Sequence, residues 1–371
     1  MSAEPRSFGS GWISGVASVA LGSMGCGAVL CLLFPAQLTT PELRAVYPMH
    51  VVRGLIQATI VVAFALGLLS VVLRKSKLLG LVGVLLAVVA TALGGSEVPV
   101  NGPVPVSHHI GLDWFLLDLL LMALLFLPLE RLFPRVSMPV LRAEFSTDLA
   151  YFFVGHLLVQ VIVFFTVTPA RVFFGWTQHP GLQAAIASQP LALQFVEIVV
   201  VSDLFQYWTH RMFHQVPWLW RLHAIHHSPR QLDWLAGSRL HILEIVMVRA
   251  VVFIPVFVCG FADGAVRAYV LFVALHAVLL HANVRFGFRW IDRILTTPRY
   301  HHFHHAAESE AVNTNFALHL PVLDRLFGTQ FFPDGRWPER LGVVGPPIPD
   351  TWWGQMTYPF RRLAVPAPRV D

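Results

Sequence analysis

Charged residues are scarce in this chain: only 13% of its 371 residues are Asp, Glu, Lys or Arg, whereas 56% are hydrophobic. Soluble domains have about a quarter of their residues charged, so this shortage argues against a soluble globular enzyme. Lysine is almost absent, with 2 residues against 24 arginines, and no block of five or six basic residues occurs. The net charge of +5 therefore does not predict a nucleic-acid partner.

Cysteine is also scarce, and its three residues, Cys26, Cys31 and Cys259, all lie inside apolar segments. A disulfide framework and a C-x-x-C metal site are thereby excluded. The sequence also lacks the H-E-x-x-H pattern of hydrolytic zinc sites and any flavin, nicotinamide or ferredoxin motif.

Long apolar runs are what the sequence has in abundance, and runs of 18 or more residues are typical of transmembrane helices. We predict an all-α, polytopic membrane helical bundle with a cytoplasmic helical cap that carries histidines. About eight membrane segments are expected, at residues 12–34, 54–73, 78–95, 110–129, 149–168, 191–209, 243–262 and 265–282.

The arginines predict the orientation of these segments, because cytoplasmic loops are enriched in Arg and Lys. With eight segments and a cytoplasmic N-terminus, four basic clusters fall on the cytoplasmic side. They are Arg74, Lys75 and Lys77; Arg131, Arg135 and Arg142; Arg211, Arg221, Arg230 and Arg239; and Arg285, Arg289, Arg293 and Arg299. Both termini and the histidine motifs are therefore expected in the cytoplasm, and the Arg-over-Lys bias favours a bacterial inner membrane.

A Pro-rich loop at 97–106 suggests how the chain is divided. Residues 1–106 form a predicted N-terminal extension of three spans, with few polar residues. Residues 107–342 form the membrane core with the histidine motifs, and residues 343–371 form a tail rich in Pro and aromatic residues.

Histidine is unusually frequent, with 18 residues, 12 of which lie between His210 and His305. The first motif is an H-x-x-x-H at the end of the sixth segment, and two H-x-x-H-H motifs follow at 223–227 and 301–305. Residues i and i+4 share one face of a helix, so His210 and His214 can reach one metal ion. The i, i+3 and i+4 spacing of the other two motifs places three imidazoles side by side in each. His302 occupies an x position in the last motif.

The number and type of these ligands indicate a dinuclear centre. Eight to ten imidazoles exceed one coordination sphere, and a haem needs only one or two axial histidines. Imidazole suits Fe, Zn, Cu and Ni equally, so ligand type leaves the metal open. Carboxylates are scarce near the motifs, and Asp203, Asp233, Glu244 and Asp324 are predicted as candidates that orient an imidazole N–H from outside the metal shell. An all-nitrogen dimetal site without a hydrolytic base favours oxygen activation.

Seven short motifs follow one another along the chain in the order Trp208-Thr-His-Arg-Met-Phe-His214, His223-Ala-Ile-His-His-Ser228, Arg239-Leu-His241, His281-Ala-Asn283, Arg299-Tyr-His-His-Phe-His-His305, Asn313-Thr-Asn-Phe316 and Leu323-Asp-Arg-Leu-Phe-Gly-Thr329. In this order they resemble the fatty acid hydroxylase superfamily, also called the sterol desaturase family, most strongly between residues 197 and 330. The resemblance covers roughly residues 110–342 and implies a non-haem di-iron oxygenase with two Fe ions, O2 as co-substrate and a membrane lipid as substrate.

Site residues follow from the resemblance position by position. The implied metal ligands are His210, His214, His223, His226, His227, His241, His281, His301, His304 and His305. His276 is a further candidate ligand, and Asn283 and Asn315 are expected just outside the metal shell. His241 stands in an Arg-x-His motif that the family usually continues with Pro, where this chain has Ile242.

The electron donor is expected to be a separate protein, ferredoxin-like or cytochrome b5-like with its reductase, since the chain has no redox motif of its own. The sequence leaves the lipid open, and also the choice between hydroxylation and desaturation. A polytopic metal transporter or metal sensor is the alternative. It would place ionisable residues near the middle of several spans, where this chain has few.

Overall fold

The computed structural model of the chain describes residues 9–100, 109–139, 141–157, 168, 171–286, 290–345 and 347–361. The described residues are helical apart from loops and two single antiparallel bridges, Pro134 with Val284 and Ala306 with Leu341. Their α-helices are α1 Trp12–Leu33, α2 Pro35–Leu38, α3 Pro41–Val46, α4 Met49–Leu73, α5 Leu78–Ala92, α6 Leu112–Leu132, α7 Phe145–Leu157, α8 Pro180–Ala187, α9 Leu191–Gln215, α10 Pro217–His227, α11 Ile242–Cys259, α12 Asp263–His281, α13 Pro298–His304, α14 Pro321–Leu326 and α15 Trp352–Thr357. Short 3₁₀ turns are Gly95–Glu97, Gly175–Thr177, Ala236–Ser238, Ile291–Arg293, Ser309–Ala311 and Tyr358–Phe360.

Seven helices in the described part of the chain are long and apolar enough to cross a membrane. They are Trp12–Leu33, Met49–Leu73, Leu78–Glu97, Leu112–Leu132, Leu191–Gln215, Ile242–Cys259 and Asp263–His281. Each coincides with a predicted segment, so the all-α membrane bundle is confirmed. Half of the remaining predicted segment, 149–168, lies outside the described residues, and α7 covers its start. A total of eight spans and the cytoplasmic side of the cap stay predictions.

The chain forms two compact units. The first contains residues 1–121 and 156–160, and the second contains residues 122–155 and 161–371. The boundary that the sequence suggests at residue 106 stays a prediction.

Small residues let the helices of the first unit approach closely. A Cβ atom on Gly80 of α5 would lie 2.6 Å from the Gly67 carbonyl oxygen of α4. One on Gly83 would collide with Ser18 of α1, whose hydroxyl donates to the Ala63 carbonyl. Close backbone contact of this kind drives helix association in membranes, where lipid is as apolar as leucine.

In the second unit, α9 packs against α10, α11 and α12. The chain turns from α9 into α10 at Pro217, which occupies the first turn of the new helix. Proline is favoured there because its fixed φ suits the helix and its missing N–H has no helical acceptor. The same device starts α13 at Pro298 and α14 at Pro321. These turns bring the C-terminal ends of α9 and α12 together with α10 and α13.

The last described helix, α15, packs on the outer side of α10. Tyr358, next to it, is buried against Trp220 and Ile225, and Trp352 packs against the same cluster. Thr147 of α7 donates a hydrogen bond to the Asp350 carbonyl. This part of the C-terminal segment thus supports the helix that carries the first H-x-x-H-H motif.

Candidate metal centre

Nine buried histidines form two clusters at one end of the second unit. In each cluster, the ligand atoms lie within 4.8 Å of one another. The first cluster contains His210, His214, His223, His227 and His304, and the second contains His226, His281, His301 and His305. The stacked rings of His227 and His305 connect the clusters, with centroids 4.4 Å apart. Nine of the ten implied ligands are therefore brought together.

Helical spacing explains how three short motifs build both clusters. In α13, His301 and His305 are one turn apart and both face the second cluster, whereas His304 faces the first. His302 lies on the opposite side of α13, where Arg135 donates to its Nδ1 atom over 3.0 Å. Its ring packs on Trp337 at 5.4 Å. His302 thus points away from the site, although it is three residues from His305, a spacing that can share a helix face.

The Nδ1–H groups of five clustered histidines donate to oxygen acceptors of the protein. The acceptor is the Phe316 carbonyl for His210 (2.8 Å), Glu244 for His223 (2.5 Å), the Arg239 carbonyl for His226 (3.1 Å), the Ala277 carbonyl for His281 (2.8 Å) and the Thr314 carbonyl for His304 (2.8 Å). A carbonyl can only accept, so the four carbonyl contacts place the proton on Nδ1 and leave Nε2 as a bare lone pair in His210, His226, His281 and His304. Such partners are typical of metal-binding histidines.

Imidazole Nε2 atoms face each other inside both clusters. The Nε2 atoms of His210 and His223 are 3.0 Å apart, and those of His226 and His281 are 3.2 Å apart. No proton is left to join His226 and His281, so their arrangement is repulsive unless a cation lies between the nitrogens. Two nitrogens bound at about 2.1 Å and at right angles would lie about 3.0 Å apart. The donor set therefore fits metal ions.

Burial keeps the motif imidazoles neutral. It holds the pKa of His226, His227, His301 and His305 well below the usual value for histidine, and neighbouring imidazoles lower it further. A neutral imidazole is the form that binds metal. The site is thus ready to accept cations at neutral pH without first releasing protons.

Glu244, in the first turn of α11, orients His223 and yields a testable expectation. Replacing Glu244 with alanine removes the acceptor of the His223 Nδ1–H group, and loss of such a partner lowers metal affinity about 10–100-fold. Glutamine keeps a carbonyl oxygen at this position, so E244Q should lose much less. The measurement is metal retained by the purified chain against a graded series of chelator concentrations.

The matched control for Glu244 is Glu97→Ala, which removes an exposed carboxylate in the first unit. It should leave metal retention unchanged. Equal losses in E244A and E244Q would contradict the orienting role.

Two predicted ligands lie away from the clusters. His241 caps the N-terminus of α11: its Nδ1 accepts from the Leu243 N–H at 3.2 Å, and its Nε2–H donates to the Met356 carbonyl at 3.2 Å. Both nitrogens are occupied, so the structure does not join it to either cluster. His276 donates to the Thr296 carbonyl and pairs with His319 at 2.9 Å, as a buried structural residue.

Three of the residues predicted just outside the metal shell act on backbone and not on imidazoles. The Asp203 carboxylate accepts three backbone N–H groups, from residues 318, 319 and 320. Asn283 exchanges two hydrogen bonds with the backbone of Val136, and Asn315 does the same with Phe331. Asn315 has a φ of +58°, a left-handed conformation that asparagine tolerates better than most residues. These residues shape the loops that follow α6, α12 and α13.

Two carboxylates that sequence reasoning missed, Glu130 and the buried Asp148, support the site from further away. Glu130, near the end of α6, accepts the backbone N–H groups of Trp234 and Asn283 at 2.7 and 2.8 Å. Asp148 binds Arg239, whose carbonyl in turn accepts from His226. The sequence feature that could have identified them is the position of each carboxylate at the edge of an apolar segment, in a chain with only 21 acidic residues.

The apolar helices and the two polyhistidine clusters at their ends define an integral membrane protein with histidine-box architecture. The family model for fatty acid hydroxylase matches residues 195–329, a range that contains all nine clustered histidines. The match covers the same region whose motifs resemble this family. No solved structure matches the chain significantly.

Several curated proteins are similar to the same region. Ornithine lipid hydroxylase OlsE of Rhizobium tropici is 31% identical over 179 residues, 47% of this chain and 52% of that protein. Alkylglycerol monooxygenase of Homo sapiens is 28% identical over 127 residues, 34% and 28% of the two chains. C-4 methylsterol oxidase erg25 of Schizosaccharomyces pombe is 24% identical over 146 residues, 37% and 49%. The chain spans about half of these relatives or less.

Proposed function

We propose that the chain is a membrane-bound oxygenase that uses O2 and externally supplied electrons to hydroxylate a C–H bond of a membrane lipid. The observation that carries the proposal is the pair of adjacent clusters of five and four buried histidines, with Nε2 atoms directed at each other. Similarity to lipid hydroxylases, monooxygenases and oxidases supports the reaction class. Hydroxylation is preferred over desaturation because the hydroxylase and the monooxygenase, at 31% and 28% identity, are more similar to this chain than the methylsterol oxidase, at 24%.

The proposed ligands of one iron ion are His210, His214, His223, His227 and His304, and those of the other are His226, His281, His301 and His305. When bound, the two iron ions supply the activation of O2 and the oxidation of the C–H bond. The protein's own residues fix each imidazole through its Nδ1 partner and keep it neutral by burial. They also exclude water, because all nine rings are buried.

The remaining parts of the proposal concern the surroundings of the site. The electrons come from a separate donor protein, ferredoxin-like or cytochrome b5-like. The clusters and both termini lie on the cytoplasmic side of a bacterial inner membrane, in agreement with the arginine distribution. Residues 1–106 form a membrane extension that precedes the catalytic core.

The proposal is tested by iron analysis and lipid analysis together. Purified chain should contain close to two iron ions, and cells that express it should contain a lipid heavier by one oxygen atom than in cells without it. The measurements are elemental analysis of the purified protein and mass spectrometry of the extracted lipids.

Two outcomes would contradict the oxygenase: iron well below two per chain after iron-replete expression, or a lipid profile unaffected by expression. Metal flux into vesicles that contain the purified chain, with unchanged lipids, would favour the transporter alternative. Cells expressing His50→Ala, which changes an exposed histidine in the first unit, should show the same lipid product as the wild type.

A further inference from the structure

An exposed apolar patch lies on the second unit, outside the spanning helices. Its centre is formed by Trp290 and Ile294 around the turn Ile291–Arg293, and by Leu326 of α14, which are 68%, 64% and 71% exposed. The two segments are joined, since Arg325 donates a hydrogen bond to the Arg293 carbonyl. Large apolar side chains so exposed on one surface indicate an interaction site. We call these two segments, residues 290–294 and 321–327, the cap patch.

The cap patch is continuous with the outward-facing side of the spanning helix α9. Phe327 stacks on Tyr207 at 5.0 Å and meets the edge of Trp208 at 4.9 Å. Trp208 and Met212 of α9 are each 45% exposed. In a bilayer, these side chains face lipid near the end of the helix. The same apolar surface therefore runs from α9 onto the cap patch without a polar break at Phe327.

The exposed charges of the cap patch are positive. Arg293 and Arg325 are exposed, whereas the two acidic residues of these segments are buried and engaged. Asp292 accepts from Thr297 and Arg299, and Asp324 accepts the backbone N–H groups of Phe316 and Ala317. Arginines beside tryptophan and leucine are typical of surfaces that rest at the lipid headgroups, where anionic lipids attract the cations.

We propose that the cap patch is an interfacial membrane contact, which rests on the anionic surface of the bilayer beside the end of α9. Trp290, Ile294 and Leu326 enter the boundary between headgroups and acyl chains, and Arg293 and Arg325 pair with lipid phosphates. A protein partner would fit less well, because the patch extends a surface that already faces lipid.

The contact also links the bilayer surface to the metal centre. Asp324 of α14 holds the N–H group of Phe316, and the Phe316 carbonyl accepts the Nδ1–H group of His210. Asp324, in the cap patch, thus fixes Phe316, whose carbonyl orients the proposed ligand His210. This arrangement keeps the histidine clusters at a fixed depth relative to the membrane surface.

The test uses the full chain in lipid nanodiscs, with Cys26, Cys31 and Cys259 replaced by alanine. A spin label is attached at Leu326→Cys, and a second protein carries it at Ile294→Cys. The control carries it at Asp334→Cys, an exposed position outside the patch. Collisions with O2, which concentrates in lipid, and with a water-soluble nickel chelate are measured by electron paramagnetic resonance.

Both patch labels should show a ratio of O2 to nickel collisions several-fold higher than the label at residue 334. In nanodiscs with phosphatidylglycerol the ratio should exceed that in pure phosphatidylcholine, and R293Q should reduce this difference. Equal ratios at all three positions would overturn the proposal, because the patch would then lie in water and not in lipid. A surface of this kind would instead bind a protein partner. The readout does not depend on oxygenase activity, so it separates this proposal from the proposed function.

Discussion

Replacing His301 with alanine is expected to lower lipid oxidation by at least about 100-fold, because loss of even an outer partner of a metal ligand costs 10–100-fold. His301 lies in the four-histidine cluster, and its Nε2 is 3.1 Å from those of both His281 and His305. H304A should inactivate equally, although His304 belongs to the five-histidine cluster. The first cluster has one imidazole more, so H304A should keep more iron than H301A. Oxidised lipid and iron per chain are the two measurements.

The matched control is His302→Ala, in the same helix and equally buried. Its ring contacts Arg135 and Trp337 and faces away from both clusters. H302A should therefore lower the stability of the cap but leave iron content and oxidation near the wild-type values. If folded H302A lost as much iron as H301A, the effect of H301A would be structural and the ligand assignment would be wrong.

The local part of this site could be predicted from the sequence because it depends on helical period. Apolar runs of 18 or more residues predicted the seven membrane helices, and the H-x-x-H-H spacing predicted that His301, His304 and His305 face inward. His302 is the exception within the run: it is three residues from His305, and its contacts with Arg135 and Trp337, not the helical period, place it outside. These predictions needed only the geometry of single helices, which follows from the spacing of residues in the sequence.

The parts that could not be predicted depend on contacts between distant segments. His241 matched a family motif, but its imidazole caps α11 and contacts the Met356 carbonyl, 115 residues further along the chain. Asp203 was one helical face from His210, yet it binds the loop at residues 318–320. Tertiary packing decides which partner a side chain in such a position contacts, and neither residue spacing nor composition predicts that partner.

The buried ion-pair network beside the site leads to the largest expected effect on stability. Asp148 is fully buried and accepts hydrogen bonds from Arg142 and from Nε of Arg239, the latter at 2.6 Å. Arg142 also pairs with Asp233, and Arg239 with Glu144. Burial raises the pKa of Asp148, and the two guanidinium groups oppose this shift. Charge compensation here is therefore shared between two cations and three carboxylates.

Replacing Asp148 with asparagine removes the carboxylate that the two buried guanidinium groups share and leaves each of them with one carboxylate instead of two. Breaking buried ion pairs in this way costs up to about 3–5 kcal/mol in the free energy of unfolding. The measurement is denaturant-induced unfolding of the detergent-solubilised chain, or the thermal midpoint where D148N gives little protein. Iron should also be held more weakly, because Arg239 would no longer fix the carbonyl that orients His226.

The matched control is Asp263→Asn, which breaks the pair with Arg267 at 3.9 Å, where the side chains are 93% and 76% exposed. Solvent screens that pair, so D263N should change stability by less than about 1 kcal/mol. Equal losses in D148N and D263N would show that burial of the network contributes nothing to the fold.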